Sequence, residues 1–246
     1  MIINYPAFYN DIINGSHTLI AGTTGSGKSV ALNGLLYALS ARDPARYNWI
    51  LIDPKKVELV EFKHFPAVAA YAAEYREIEQ TITAARALML KRYNIMQRQN
   101  IKKWTGPQTY IIIDEFIDIK QYCSKDTIKN INALASLARA AGIHLVICTQ
   151  RPTKDSLSPL LKDNLPIKLA LTTESIQQSK YLTNTAAAYG LPIGSGLFYT
   201  PARPGHWQRV KIDLISPEKW KAMKDIRQPE KPPEKSIFSR WKSIFT

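Results

Sequence analysis

Cysteine is nearly absent: Cys123 and Cys148 are the only two in 246 residues. They hold no metal-ligand spacing toward the four histidines, which excludes a cysteine–histidine metal module and leaves two reduced thiols. The sequence also lacks a secretory signal at its amino end and any apolar run approaching the roughly 18 residues of a membrane span. The expected location is therefore the cytoplasm, with a partner able to recruit the protein to a membrane or a virion. Acidic residues are scarce, 20 against 33 lysines and arginines, for a net charge of +13. Such an excess favours a polyanionic partner, nucleic acid before an anionic membrane.

What is present is sharper. Gly22-Thr23-Thr24-Gly25-Ser26-Gly27-Lys28-Ser29 fits G-x-x-x-x-G-K-[ST] without a mismatch. Glycines let the backbone curl so that successive N–H groups, continuing through Val30, face phosphates at the positive end of the next helix. Lys28 is expected to reach the β- and γ-phosphates of a nucleoside triphosphate, and the Ser29 hydroxyl to ligate Mg²⁺. The context is the required one: the apolar run 18–21 precedes the loop, and Val30, Leu32, Leu35, Leu36 and Leu39 follow at helical spacing.

Strands and helices alternate along the chain, which predicts an α/β fold with a mainly parallel sheet covered by helices on both faces. The strands expected are 18–21, 49–52, 110–113, 144–148 and 167–171. Long helical patterns cover 74–100 and 126–141, the second closing on Gly142 as its C-terminal cap. Segments 196–199 and 207–212 flank a Pro/Gly-rich turn and predict a C-terminal β-hairpin. The length suits one domain, 1–216. Residues 217–246 read as a Pro/Lys-rich linker with a short basic amphipathic tail carrying Ile237, Phe238, Trp241, Ile244 and Phe245, fit to dock on a partner or fold back on its own chain.

The acidic residues decide the reaction class. Tyr110-Ile111-Ile112-Ile113-Asp114-Glu115 is an apolar strand ending in two carboxylates. Asp114 is assigned to Mg²⁺, and Glu115 to polarising a water for in-line attack on the γ-phosphate. A kinase has no use for that glutamate, since its acceptor hydroxyl replaces the water. A GTPase would need an Asn-Lys-x-Asp segment to read guanine, and none occurs. Gln150, at the end of the strand that includes 144–148, is placed to sense the γ-phosphate or the attacking water, because carboxyl ends of neighbouring parallel strands line one crevice.

Taken in order, these residues resemble the motor domain of FtsK/SpoIIIE DNA translocases, within the FtsK–HerA group of RecA-like P-loop ATPases. The resemblance runs from the phosphate loop through Ile52-Asp53-Pro54-Lys55, Ile112-Ile113-Asp114-Glu115-Phe116, Ala138-Arg139-Ala140-Ala141-Gly142 and Thr149-Gln150-Arg151-Pro152 to Gly196-Leu197-Phe198-Tyr199. It implies an ATP-hydrolysing motor that moves DNA through a homo-oligomeric, hexameric ring. It also matches Arg139 to an arginine finger acting in trans on ATP held by the neighbouring subunit. A guanidinium there stabilises charge developing on the transferring phosphoryl group.

The sequence shows nothing like the family's membrane-spanning half, its preceding subdomain or its winged-helix module. That suggests a mobile-element, plasmid or viral relative working with a pore or shell partner. A genome-packaging or conjugative-coupling ATPase shares the same chemistry, and a DNA-binding protein with a regulatory nucleotide pocket is the reading outside motors. Lys102, Lys103, Lys154, Lys162 and Lys168 are the lysines weighed for DNA phosphates, each read more readily as a solvated surface charge than as a DNA contact.

Overall fold

Strand interiors made of Ile, Leu and Val on both faces must be covered on both sides, and the burial follows that rule: β1 (Thr18–Ala21) and β5 (Ile143–Thr149) are buried at every position. The computed structural model describes residues 5–40, 46–216 and 218. The described residues divide into two compact units, one formed by residues 5–40, 115–117 and 145–215, the other by 46–114, 118–144, 216 and 218.

The first unit contains α1 (Tyr5–Asn14), β1, α2 (Lys28–Ser40), most of β5, α6 (Pro159–Asp163), β6 (Ile167–Ala170), α7 (Ile176–Thr183), β7 (Ser195–Tyr199) and β8 (Gln208–Lys211). Its strands are ordered β5-β1-β6-β7-β8. β1 pairs in parallel with β5 and β6, in register Thr18 with Val146 and with Ile167. The β6/β7 and β7/β8 pairs are antiparallel, so the predicted hairpin is present. Phe8 meets Phe198 edge to face, centroids 4.4 Å apart, and the Tyr9 hydroxyl donates to Ala31 O at 2.9 Å. These contacts seat α1 on α2 and β7.

The second unit contains β2 (Tyr47–Ile52), β3 (Val68–Ala72), α3 (Tyr75–Arg98), β4 (Gln108–Ile113), most of α4 (Phe116–Tyr122) and α5 (Lys125–Leu137). Its strands run β3-β2-β4, all parallel. Trp49, Phe62 and Phe65 fill its core beside Tyr110 and Ile111 to Ile113. A capping box between Glu74 and Glu77 starts α3, and the Ser124 hydroxyl accepts from Thr127 N–H to start α5.

All five predicted strands and both long helices are present. β3, α1 and the short helices α4, α6 and α7 are additional. The assigned α5 stops at Leu137, earlier than the pattern through 141 suggests. Its closing turn is a Schellman motif: Ile143 N–H donates to Ala138 O, Gly142 N–H donates to Arg139 O, and Gly142 takes φ +66°. The C-terminal segment 217–246 lies outside the described residues apart from Glu218. Among the described residues no helix is long and apolar enough to cross a membrane.

Candidate functional site

The phosphate loop lies in the first unit, between β1 and α2. Gly22 has no room for a side chain: a Cβ there would stand 2.6 Å from Leu171 Cβ and 2.7 Å from Ser26 Oγ. Gly25 and Gly27 take φ +76° and +99°, a backbone that side chains strain. The loop is anchored on several sides. Gly22 N–H donates to Thr149 O at 3.2 Å, Thr23 N–H to Thr172 O at 2.9 Å, and Gly194 N–H to Ser26 O at 3.3 Å. The Thr23 hydroxyl donates to Glu174 Oε1 at 3.0 Å. α2 starts at Lys28 with no acidic residue in its first turn, so its positive dipole end is left for an anion. Lys28 is buried, Ser29 is half-buried, and Thr24 and Gly25 are exposed.

Three of the predicted residues meet here. The Thr24 hydroxyl donates to Gln150 Oε1 at 2.8 Å, and Gln150 N–H donates to Glu115 Oε1 at 3.2 Å. The Thr149 hydroxyl adds a longer contact to the same Glu115 oxygen, 3.4 Å. Glu115 itself is buried and adopts φ +60°. A left-handed glutamate costs on the order of 1 kcal/mol or more, and such strain is concentrated at functional positions. The phosphate loop, Gln150 and the carboxylate assigned to water are thus joined by hydrogen bonds.

Asp114 directly follows β4 in the second unit, buried, with its N–H donating to Ile52 O at 3.0 Å. Asp53 directly follows the adjacent β2, also buried, and its Oδ2 accepts from Leu59 N–H at 3.0 Å. Burial, followed by the charge of Asp53, pushes the Tyr71 phenol up to about 12. Arg139 sits in the turn after α5, exposed, and its guanidinium makes no hydrogen bond or ion pair among the described residues.

Sequence reasoning assigned no role to Thr149 or Asp53. Asp53 carried a usable signal, an apolar strand ending in an acid as at Asp114; Thr149 carried none. Among the candidate DNA lysines, Lys162 is engaged by its own unit: its ammonium donates to Tyr181 O at 2.9 Å and lies 4.4 Å from that ring's centroid. Burial holds Lys168 below the usual lysine range, 5.9 Å from the Tyr199 ring. Lys102, Lys103 and Lys154 are exposed.

The chain is similar to known proteins in sequence and in fold. Residues 2–112 and 105–154 match the FtsK/SpoIIIE family. A curated relative, the DNA translocase FtsK of Sporosarcina ureae, is 32% identical over 228 residues, covering 84% of this chain and 29% of its own length. The chain therefore spans under a third of such a relative. Among solved structures, the cytoplasmic domain of the Thermomonospora curvata type VII secretion ATPase EccC superposes with a TM-score of 0.73 at 23% identity, over 94% of this chain and 28% of that one. The pCW3 conjugation coupling protein TcpA, solved with ATPγS, gives 0.72 at 23% identity, over 87% of this chain and 65% of that one. These two likenesses speak for a shared fold, and the matched residues carry the assignment further: the chain belongs to the FtsK/SpoIIIE family.

Proposed function

We propose that this chain is the motor of an ATP-driven DNA translocase. The observation that carries the reading is the Thr24–Gln150–Glu115 chain of hydrogen bonds, which links a phosphate loop to a hydrolytic carboxylate. The loop N–H groups and Lys28 hold the triphosphate. Glu115 takes a proton from a water as its oxygen attacks the γ-phosphorus, the bond to the β-phosphate oxygen breaks, and ADP and phosphate result. Gln150, on Thr24 and Glu115 at once, reports the state of the γ-phosphate to the segment that follows it.

The Ser29 hydroxyl and the Asp114 carboxylate are the oxygen donors that would hold Mg²⁺, which would supply neutralisation of the phosphates' negative charge. That pairing rests on the sequence motifs. Arg139 serves as the finger on a neighbouring subunit's ATP, in a hexameric ring threaded by DNA, and its exposed, unengaged guanidinium supports the role. DNA is held through phosphates, because a motor must accept any sequence; exposed Arg151 and Lys154, just past Gln150, are cations available for it. The protein works in the cytoplasm, and its C-terminal segment recruits it to a pore, shell or membrane.

The test is ATP turnover by the assembled full chain with and without duplex or single-stranded DNA, beside Lys28→Ala and Glu115→Gln. DNA is expected to stimulate turnover several-fold, and both variants to lose it by roughly 10²-fold or more. Absence of DNA stimulation overturns the motor reading, and unchanged turnover in both variants overturns the site.

A further inference from the structure

Arg92, in the last third of α3, is a buried cation. Its guanidinium donates to Ala141 O at 2.9 Å and Gly142 O at 3.0 Å through one nitrogen, and to Pro107 O at 3.0 Å and Thr109 Oγ1 at 2.9 Å through the other. No carboxylate pairs with it among the described residues, and burial lowers its pKa to about 10. Removing a charge from water without an opposite charge is costly, and an apolar residue of similar volume would commonly serve stability as well or better. What the arginine adds is geometry: a planar fork that fixes several acceptors at once.

Those acceptors belong to one small region. Ala141 and Gly142 are in the Schellman turn that ends α5. Trp104 completes the clamp: the Arg92 guanidinium lies 4.8 Å from its ring, its N–H donates to Ala140 O at 2.9 Å, and its indole donates to Pro107 O at 3.0 Å. The carbonyls of three successive residues, 140 to 142, are therefore held from outside the helix. Gly142 is fixed as well, since a Cβ there would stand 2.6 Å from Trp104 Cδ1. Immediately before these three residues the same turn presents Arg139 to solvent.

We propose that Arg92, with Trp104, is a positioning residue for Arg139: it locks the closing turn of α5 so that the Arg139 guanidinium is held in its working orientation. The inference rests on Arg139 acting in catalysis, as put forward above. A helix end that merely needed its carbonyls satisfied could use water or a glycine cap alone.

The experiment compares assembled full-chain Arg92→Met, Arg92→Lys, Arg139→Ala and the two Arg92 variants combined with Arg139→Ala. Binding of a fluorescent ATP analogue should stay within about two-fold of the parent, while turnover falls on the order of 10- to 100-fold, as displaced catalytic groups do. Arg139→Ala should be equally slow or slower, and adding either Arg92 change to it should slow it no further. Mixing Arg92→Met with Glu115→Gln should recover part of the turnover, which a merely unstable subunit would not do. If Arg92→Met fails to fold, Arg92→Lys carries the cycle, since it keeps the charge and loses the fork. Losses that multiply between Arg92 and Arg139, or parent turnover in a folded Arg92 variant, overturn the positioning role alone. Parent turnover in Arg139→Ala overturns it together with the role of Arg139.

Discussion

His144 is stacked on Tyr110, ring centroids 4.9 Å apart and 18° from parallel, and its Nε2 lies 3.1 Å from Gln108 Oε1. The Gln108 amide nitrogen donates to Gly106 O, which turns its oxygen toward the imidazole, so His144 is the Nε2–H tautomer. Burial first, then the positive charges of Lys103, Arg92 and Arg139, lower its pKa from 6.5 to about 4. Between those values the unfolded chain binds the proton and the folded chain does not. The neutral histidine's contribution is thus whole above pH 6.5 and is lost as pH falls toward 4, about 3 kcal/mol in all. A His144→Gln variant should show a flatter decline in stability over that window, read by urea denaturation at several pH values. An identical slope in both proteins would contradict the assignment. Glu115 illustrates a different economy at the same scale, for its left-handed backbone is tolerated where its carboxylate meets Gln150 and Thr149.

Helix α3 governs the second unit's elements. Its Glu79 accepts from Ser124 N–H at 2.6 Å at the start of α5, Arg86 donates to Asn130 Oδ1 at 2.8 Å midway, the Tyr93 hydroxyl donates to Leu137 O, and Arg92 binds the turn beyond. An acid at the amino end and a cation at the carboxyl end both suit the α5 dipole. Gly142→Ala attacks the last of these contacts by combining positive φ with a collision at Trp104, and should cost about 2 kcal/mol or more in denaturant unfolding. A loss under about 0.5 kcal/mol would mean that the turn is not fixed.

These elements differ in how far the sequence announces them. β1, β2, β4, β5 and β6 are runs of β-branched and aliphatic residues bounded by turns, and their pattern is enough. β3 is Val-Ala-Ala-Tyr-Ala, poor in strand formers, and exists through pairing with β2. α6 and α7 are too short for a periodic signal, and their capping serines, Ser158 and Ser175, are ordinary loop residues in sequence. The phosphate loop and the acidic pair are legible as motifs because the chemistry proposed for them demands fixed spacing. Thr149 and Arg92 are not, because each acts on residues distant in the chain, Arg92 on carbonyls 49 and 50 positions away.

For the whole molecule, the +13 charge sets the behaviour toward DNA that follows from the proposed function. If six or more phosphates are neutralised, affinity should fall roughly 10³-fold between 50 and 200 mM salt, linear on a log–log plot, in fluorescence anisotropy titrations. A flat salt response would show that the basic excess is not what holds the nucleic acid.

The bond between Thr24 and Gln150 makes the seat of the nucleotide also a latch. A ligand that draws the Thr24 hydroxyl to itself releases the Gln150 amide, and the same residue's N–H is the one that Glu115 accepts. The two bonds use different parts of Gln150, its side-chain oxygen toward Thr24 and its backbone N–H toward Glu115. A ligand on Thr24 can therefore free the Gln150 side chain to turn while the backbone N–H keeps its hold on the Glu115 carboxylate.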